Sequence, residues 1–270
     1  MNKAVLVFVI VIFFVVIVYY RMSSPNFYSH DDTFKFLYYD IDGYVERMTP
    51  QDFISQGCAT RNQFITKISS AADDFTFPER MKCLIATKNA DKFLRNLKIE
   101  GIDAKKLANL DWNLALTRGR AYEEGLPHTR RDVIFISDDV LSLPMKDLTR
   151  TLIHEKVHVY ERLNPQDIYN WMSTVGFKRH KRQSDYKNAR SNPDVDGWVY
   201  LDPNGRETVV LYRSENPAHL DDVHYPYKHD SSSEHPYETL AYMVDYLYGK
   251  ATDEMSELGY NNDYVNQFLK

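Results

Sequence analysis

Residues 148–158 read Leu148-Thr149-Arg150-Thr151-Leu152-Ile153-His154-Glu155-Lys156-Val157-His158. Apolar residues recur at helical spacing, and His154 and His158 stand four apart, so both imidazoles share one helix face. Two neutral ring nitrogens so placed can reach one zinc ion at about 2.0–2.1 Å. Glu155 projects beside them, where a carboxylate can take a proton from an attacking water and pass it to a leaving amine. Two histidines and a glutamate at these positions arise by chance on the order of once per hundred chains of this size. The competing reading is therefore an amphipathic helix whose histidines and glutamate are solvated or paired. The apolar flanks Leu152, Ile153, Val157 and Val159, and a strand pattern ahead of the helix, favour the metal.

That strand is Val133-Ile134-Phe135-Ile136-Ser137, bounded by Arg131-Asp132 and Asp138-Asp139, and residues 112–117 form a second. Ser142-Leu143-Pro144 opens the motif helix, and Asn164-Pro165 ends it after Leu163. A short helix over 166–175 stops at Gly176. Upstream, Thr49-Pro50 is a helix start, an N-cap followed by proline. Helical patterning continues with breaks over 50–110, while 34–42 reads as extended. Downstream, Asn204-Gly205 predicts a hairpin turn within 198–212. A polar, His-rich loop over 216–235 leads to a last helix over 236–248, with Gly249 as its stop. The expected fold class is α+β, a small mixed sheet packed on the motif helix. The expected organisation is an anchor at 1–22, an extended linker at 23–48 and one domain at 49–270. That domain divides into an N-terminal part, 49–140, and a C-terminal part, 141–270.

Residues 4–20 read AVLVFVIVIFFVVIVYY, apolar or aromatic throughout. As a helix this run spans about 25 Å, near the lower limit for crossing a bilayer. Tyr19, Tyr20 and Arg21 suit the interface at its end. A cleaved signal peptide has a shorter apolar stretch and a small-x-small site; Met22-Ser23-Ser24 is a poor one. The expectation is a single-pass anchor in the lipid bilayer, with the N-terminus inside as the default orientation.

A net charge of −5 argues against a nucleic-acid partner that depends on phosphate neutralisation. The basic run Lys178-Arg179-His180-Lys181-Arg182 reads as a solvated loop, with an anionic-lipid or nucleic-acid patch as the sharper alternative. Two cysteines, Cys58 and Cys83, are too few for a disulfide framework; one bridge or two buried thiols both fit.

A catalytic zinc needs a third protein ligand and an open position. The metzincin spacing is excluded, because Glu161 and Asn164 stand where it requires Gly and His. Glu238, in the first turn of the last helix, is the best third ligand. The rivals are His219, Asp221, Asp222, His224, His229, Glu234 and His235. Ala241 would let the two helices approach closely. Asp245, about two turns beyond Glu238, could accept a hydrogen bond from a liganding imidazole. A peptide oxyanion also needs a donor, for which Tyr225, His224, His235 and Tyr242 are the candidates.

The motif helix followed by a glutamate on a later helix resembles the gluzincin branch of zinc metallopeptidases, over residues from about 112 to 248. The resemblance implies a zincin-like fold, with His154, His158 and Glu238 as zinc ligands and Glu155 as base. It also implies that Val133–Ser137 is the edge strand on which an extended substrate pairs. The sequence departs from the best-known gluzincins at Tyr242, where they carry Asp, and in the long gap between the two motifs. A short anchor joined to such a domain also resembles uncharacterised peptidases of large DNA viruses. The expected function is a membrane-anchored, zinc-dependent peptidase acting on a peptide or protein substrate. The alternatives are a membrane-anchored structural or adaptor protein with an accidental or vestigial motif, and a basic-patch adaptor using residues 178–190.

Overall fold

The computed structural model describes residues 24–226, 231–252 and 263–268. The apolar run at 4–20 lies outside them. Among the described residues no helix is long and apolar enough to cross a membrane. The chain is α+β. Its sheet is mixed, with strand order β1 (Asn26–Phe27), β3 (Asn113–Thr117), β5 (Val133–Ser137) and β4 (His128–Arg130). β1 runs parallel to the start of β3, and β2 (Ala72–Asp73) runs antiparallel to its end. β5 slots between β3, its parallel neighbour, and β4, its antiparallel one.

Side chains alternate across a strand, and here the alternation divides two cores. Leu114, Leu116, Ile134 and Ile136 enter the larger one. Ala115, Val133 and Phe135 enter the smaller one. The smaller core is closed by α1 (His30–Tyr38), α2 (Tyr44–Arg47) and α4 (Arg61–Ser69), with α3 (Pro50–Ser55) beside them. The larger is closed by α5 (Phe77–Leu94), α6 (Ala104–Ala108), α7 (Asp138–Ser142), α8 (Met145–Leu163), α9 (Pro165–Val175), α10 (Pro236–Ala251) and α11 (Asp263–Asn266). The sheet therefore separates two helical layers, and α8, which carries the His-Glu-x-x-His motif, lies in the larger one. That core draws on both parts of the domain, from Phe75 to Val265, without a break at residue 140.

α8 is held on two sides. Small Ala86 and Ala90 of α5 and Ala241 of α10 are fully buried, which lets both helices approach it. On the α5 side Lys156 is buried; its ammonium donates to Asp91 Oδ1 at 2.7 Å and Ala108 O at 3.1 Å and sits 4.1 Å from the Trp112 ring centroid. This contact fixes the rotation of the helix and turns His154 and His158 towards α10.

Several sequence expectations need correction. Residues 34–38 are helical and 39–42 form a turn, and the expected extended linker at 23–48 carries α1 and α2. Ser29 caps α1 by accepting from the Asp32 amide, with Asp31 and Asp32 in the first turn, and these polar signals outweigh the β-prone aromatics. The basic run 178–182 is a strand, β6, paired with β7 (Trp198–Leu201) across a bulge; every one of its side chains is exposed. The turn at Asn204-Gly205 does form, closed by Thr208 N–H to Tyr200 O at 2.8 Å. Beyond it the chain leaves β7, and β8 (Leu211–Tyr212) pairs with β9 (Val223–His224) instead. Gly249 lies inside α10 and does not end it. Cys58 and Cys83 are free, buried thiols.

Candidate metal centre

His154 and His158 point their Nε2 atoms at each other, 3.1 Å apart. Glu238, in the first turn of α10, brings Oε2 to 3.4 Å from His154 Nε2 and 3.7 Å from His158 Nε2. Among the described residues this is the only cluster of three or more His, Cys, Asp or Glu donors near enough to share an ion. Each far ring nitrogen is held by a carboxylate: His158 Nδ1 by Glu161 Oε2 at 2.8 Å, His154 Nδ1 by Asp245 Oδ2 at 3.4 Å. Asp245 thus stands where the sequence reading put it. Glu161 was missed as a partner, although its i+3 spacing from His158 was a usable signal.

The remaining oxygen of Glu238 is also held. Asn192 Nδ2 donates to Glu238 Oε1 at 3.0 Å and to Glu234 Oε1 at 2.5 Å. Arg190 Nη2 meets both oxygens of Glu234 at 2.9 Å. Glu234, one of the rival ligands, therefore positions the donor that holds Glu238. His219 instead pairs with Glu124 at 3.3 Å on the surface, and His229 lies outside the described residues.

Zinc bound tetrahedrally at about 2.0–2.1 Å sets its donors about 3.3 Å apart, which matches the three separations. A proton on each Nδ1, favoured by its carboxylate, leaves both Nε2 atoms as acceptors facing the carboxylate of Glu238. Three acceptors at such distances repel unless a cation lies among them, so this donor set fits a divalent ion. Without one, a proton on His154 serves instead. Burial opposes that charge, but Asp245 and Glu238 outweigh it and hold His154 well above the usual histidine range. Burial pushes His158 down to about 3. Glu238 is held down at about 2, its burial outweighed by the two imidazoles.

No family model, curated protein or solved structure matches this chain significantly.

The rest of the site lines an open cleft of about 400 Å³, walled by His154, Glu155, Asp194, Tyr225, Glu238 and Tyr242 among others. Glu155 is buried, and burial raises its carboxyl to about 7, close to the working range of a general base near neutral pH. Thr129 Oγ1 donates to Glu155 Oε2 at 2.9 Å. Asp194 Oδ1 accepts from Thr129 N at 2.6 Å. Burial, with the Glu155 and Glu238 carboxylates nearby, keeps Asp194 well above the usual carboxylate range.

The expected edge strand is overturned. Val133–Phe135 are paired on both sides, and the edge of the sheet beside β5 is β4. The Thr129 amide of that edge is already taken by Asp194. The four oxyanion candidates separate. Tyr225 and Tyr242 line the cleft. Tyr242 is edge-on to His154, with ring centroids 4.9 Å apart, and its hydroxyl accepts from Ser231 Oγ at 2.9 Å. His224 is exposed and belongs to an adjoining cavity. His235 is buried as the N-cap of α10, accepting from the Tyr237 amide and facing Asp196 at 3.2 Å, so it is not a cleft donor. Asn192, Asp194 and Thr129 gave no sequence signal, because no spacing rule connects them to the motif.

Proposed function

We propose that this chain is a zincin-like, zinc-dependent peptidase, held at a membrane by residues 4–20. The observation that carries the reading is the triangle of His154 Nε2, His158 Nε2 and Glu238 Oε2, with Glu155 next to it in an open cleft. A zinc ion, when bound, supplies Lewis acidity towards a substrate carbonyl and lowers the pKa of water. His154, His158 and Glu238 would hold it. Glu155, steadied by Thr129, takes a proton from the attacking water and delivers it to the leaving amine. Tyr242 and Tyr225, which line the cleft, would donate to the developing oxyanion. The test is zinc content and cleavage of a peptide library by the purified full chain, beside His154→Ala. Equal zinc in both proteins, or zinc without any cleavage, would overturn the reading. Carbonate extraction and N-terminal sequencing test the anchor; a soluble product beginning near Ser23 would show a cleaved leader.

A further inference from the structure

We infer that α1 lies on the membrane surface, with an aromatic stripe seated among lipid headgroups; this rests on residues 4–20 being an anchor. On α1 the rings of His30, Phe34 and Tyr38 stack in succession, with centroids 6.3 and 5.3 Å apart. Tyr39 continues the row, edge-on to Tyr38 at 5.2 Å. Tyr38 is 47 % exposed, Tyr39 69 % and Ile41 50 %. The helix buries its other face, through Thr33, Phe36 and Leu37, in the smaller core. Its first turn is tied to the loop before α5, where His30 N donates to Asp74 Oδ1 at 3.0 Å. Three residues beyond Asp74 stands Phe77, 75 % exposed. Tyr38, Tyr39 and Ile41, three of the large apolar side chains exposed among the described residues, thus stand together at the C-terminal end of α1, in line with the His30–Phe34–Tyr38 row. Isolated exposed apolar residues need no explanation, but a contiguous group marks a contact surface.

The sequence names the partner. Tyr20, the last residue of the apolar run, precedes His30 by ten positions. Extended chain covers at most about 3.3–3.6 Å per residue, so the start of α1 lies within about 35 Å of the point where that run would leave the bilayer. Tyrosine favours this boundary, with the ring in the acyl edge and the hydroxyl in the headgroups. The exposed charges on α1, Asp31, Asp32 and Lys35, give no cationic excess, so the fitting surface is a zwitterionic one. The metal donors belong to helices packed on the opposite face of the sheet.

The experiment uses the full chain reconstituted in phosphatidylcholine vesicles, with a nitroxide on Tyr39→Cys or, as control, on Leu126→Cys beside the cleft. Cys58 and Cys83 are buried, so unsubstituted chain should take up little label. Collision with oxygen should exceed collision with a water-soluble nickel chelate at position 39, and the order should reverse at 126. The same order at both positions would overturn the inference while leaving the anchor intact. A label at 39 shielded from both reagents would mean that protein, a second copy or another segment, covers the stripe, and would also overturn it. Chain that washes off the vesicles in carbonate would overturn the anchor and the inference together.

Discussion

His154 Nε2 and His158 Nε2 stand 3.1 Å apart with neither ring turned away. Their outer nitrogens, held by Asp245 and Glu161, turn the two rings towards each other. A divalent ion should relieve the crowding, so folding stability should depend on it. Ligand at a hundred times its Kd adds about 2.7 kcal/mol to the stability of a protein that binds it only when folded. Zinc should therefore raise the melting temperature of the parent chain by several degrees and leave His154→Ala unmoved. The measurement is thermal melting with and without chelator; an equal rise in both proteins would place the ion elsewhere.

Asn192 tests the support of the third donor. Its amide spans Glu234 and Glu238, so Asn192→Ala should free Glu238 without removing a donor atom. Loss of such outer partners commonly weakens metal affinity about 10–100-fold. Competition against a chelator should show a drop of that size, while turnover at saturating zinc should stay near the parent value. An unchanged affinity would mean that α10 alone fixes Glu238.

Thr129→Val keeps the shape of the side chain and deletes its hydroxyl. Glu155 Oε2 then loses its donor at 2.9 Å, and an unmatched buried acceptor costs about 1–3 kcal/mol. If half of that appears in the barrier, hydrolysis falls about two- to tenfold with zinc content unchanged. A variant that lost zinc instead would make Thr129 a structural prop of the motif helix.

Much of this site was legible because helices announce themselves locally. The i, i+4 histidines, Asn164-Pro165 at the end of α8 and His235-Pro236 before α10 are short-range signals, and they brought His154, His158, Glu238 and Asp245 together correctly. The Thr49-Pro50 start was equally plain, with Thr49 and Asp52 forming a reciprocal cap. What escaped depends on distant pairing. β4 has only three residues and is recognisable only by its register with β5. β6 was masked by its charges, which face solvent while its main chain pairs with β7. Asn192 and Asp194 reach the cleft from a loop whose path is set by far partners, such as the Ser191 amide on Asp52 Oδ1 at 2.9 Å.

Stability should fall through Glu123 as pH rises towards about 7. Burial raises its carboxyl to about 7, against a hydrogen bond from Gln56. Its unfolded value lies near 4.3, so the fold favours the protonated form. The stabilisation is complete below the unfolded pKa and is lost as pH rises through about 7. A gap of this size corresponds to roughly 3–4 kcal/mol. Denaturant midpoints at about pH 5 and about pH 9 should differ more for the parent than for Glu123→Gln, which stays neutral. His128 works in the opposite sense. Burial lowers it to about 3, so its contribution is present above its ordinary value and disappears as pH falls towards 3.

The division of labour between Glu155 and Glu238 separates a metal donor from a proton carrier. Glu238 Oε2 lies within 3.7 Å of both imidazole Nε2 atoms, so Glu238→Ala should weaken zinc binding, and hydrolysis should fall with it. Excess zinc should restore part of that activity. Glu155 faces the cleft beside Thr129 and is not among the three donors that converge. Glu155→Gln should therefore keep zinc at the parent affinity and lose about 10²–10⁴-fold in rate, the usual contribution of general acid–base catalysis. Added zinc should recover none of it. The pair of measurements is zinc affinity and cleavage of a peptide library for both variants. If Glu238→Ala binds zinc as tightly as the parent, the third donor lies elsewhere. Glu234 is then the first alternative, since it is buried beside Glu238 and shares the Asn192 amide with it.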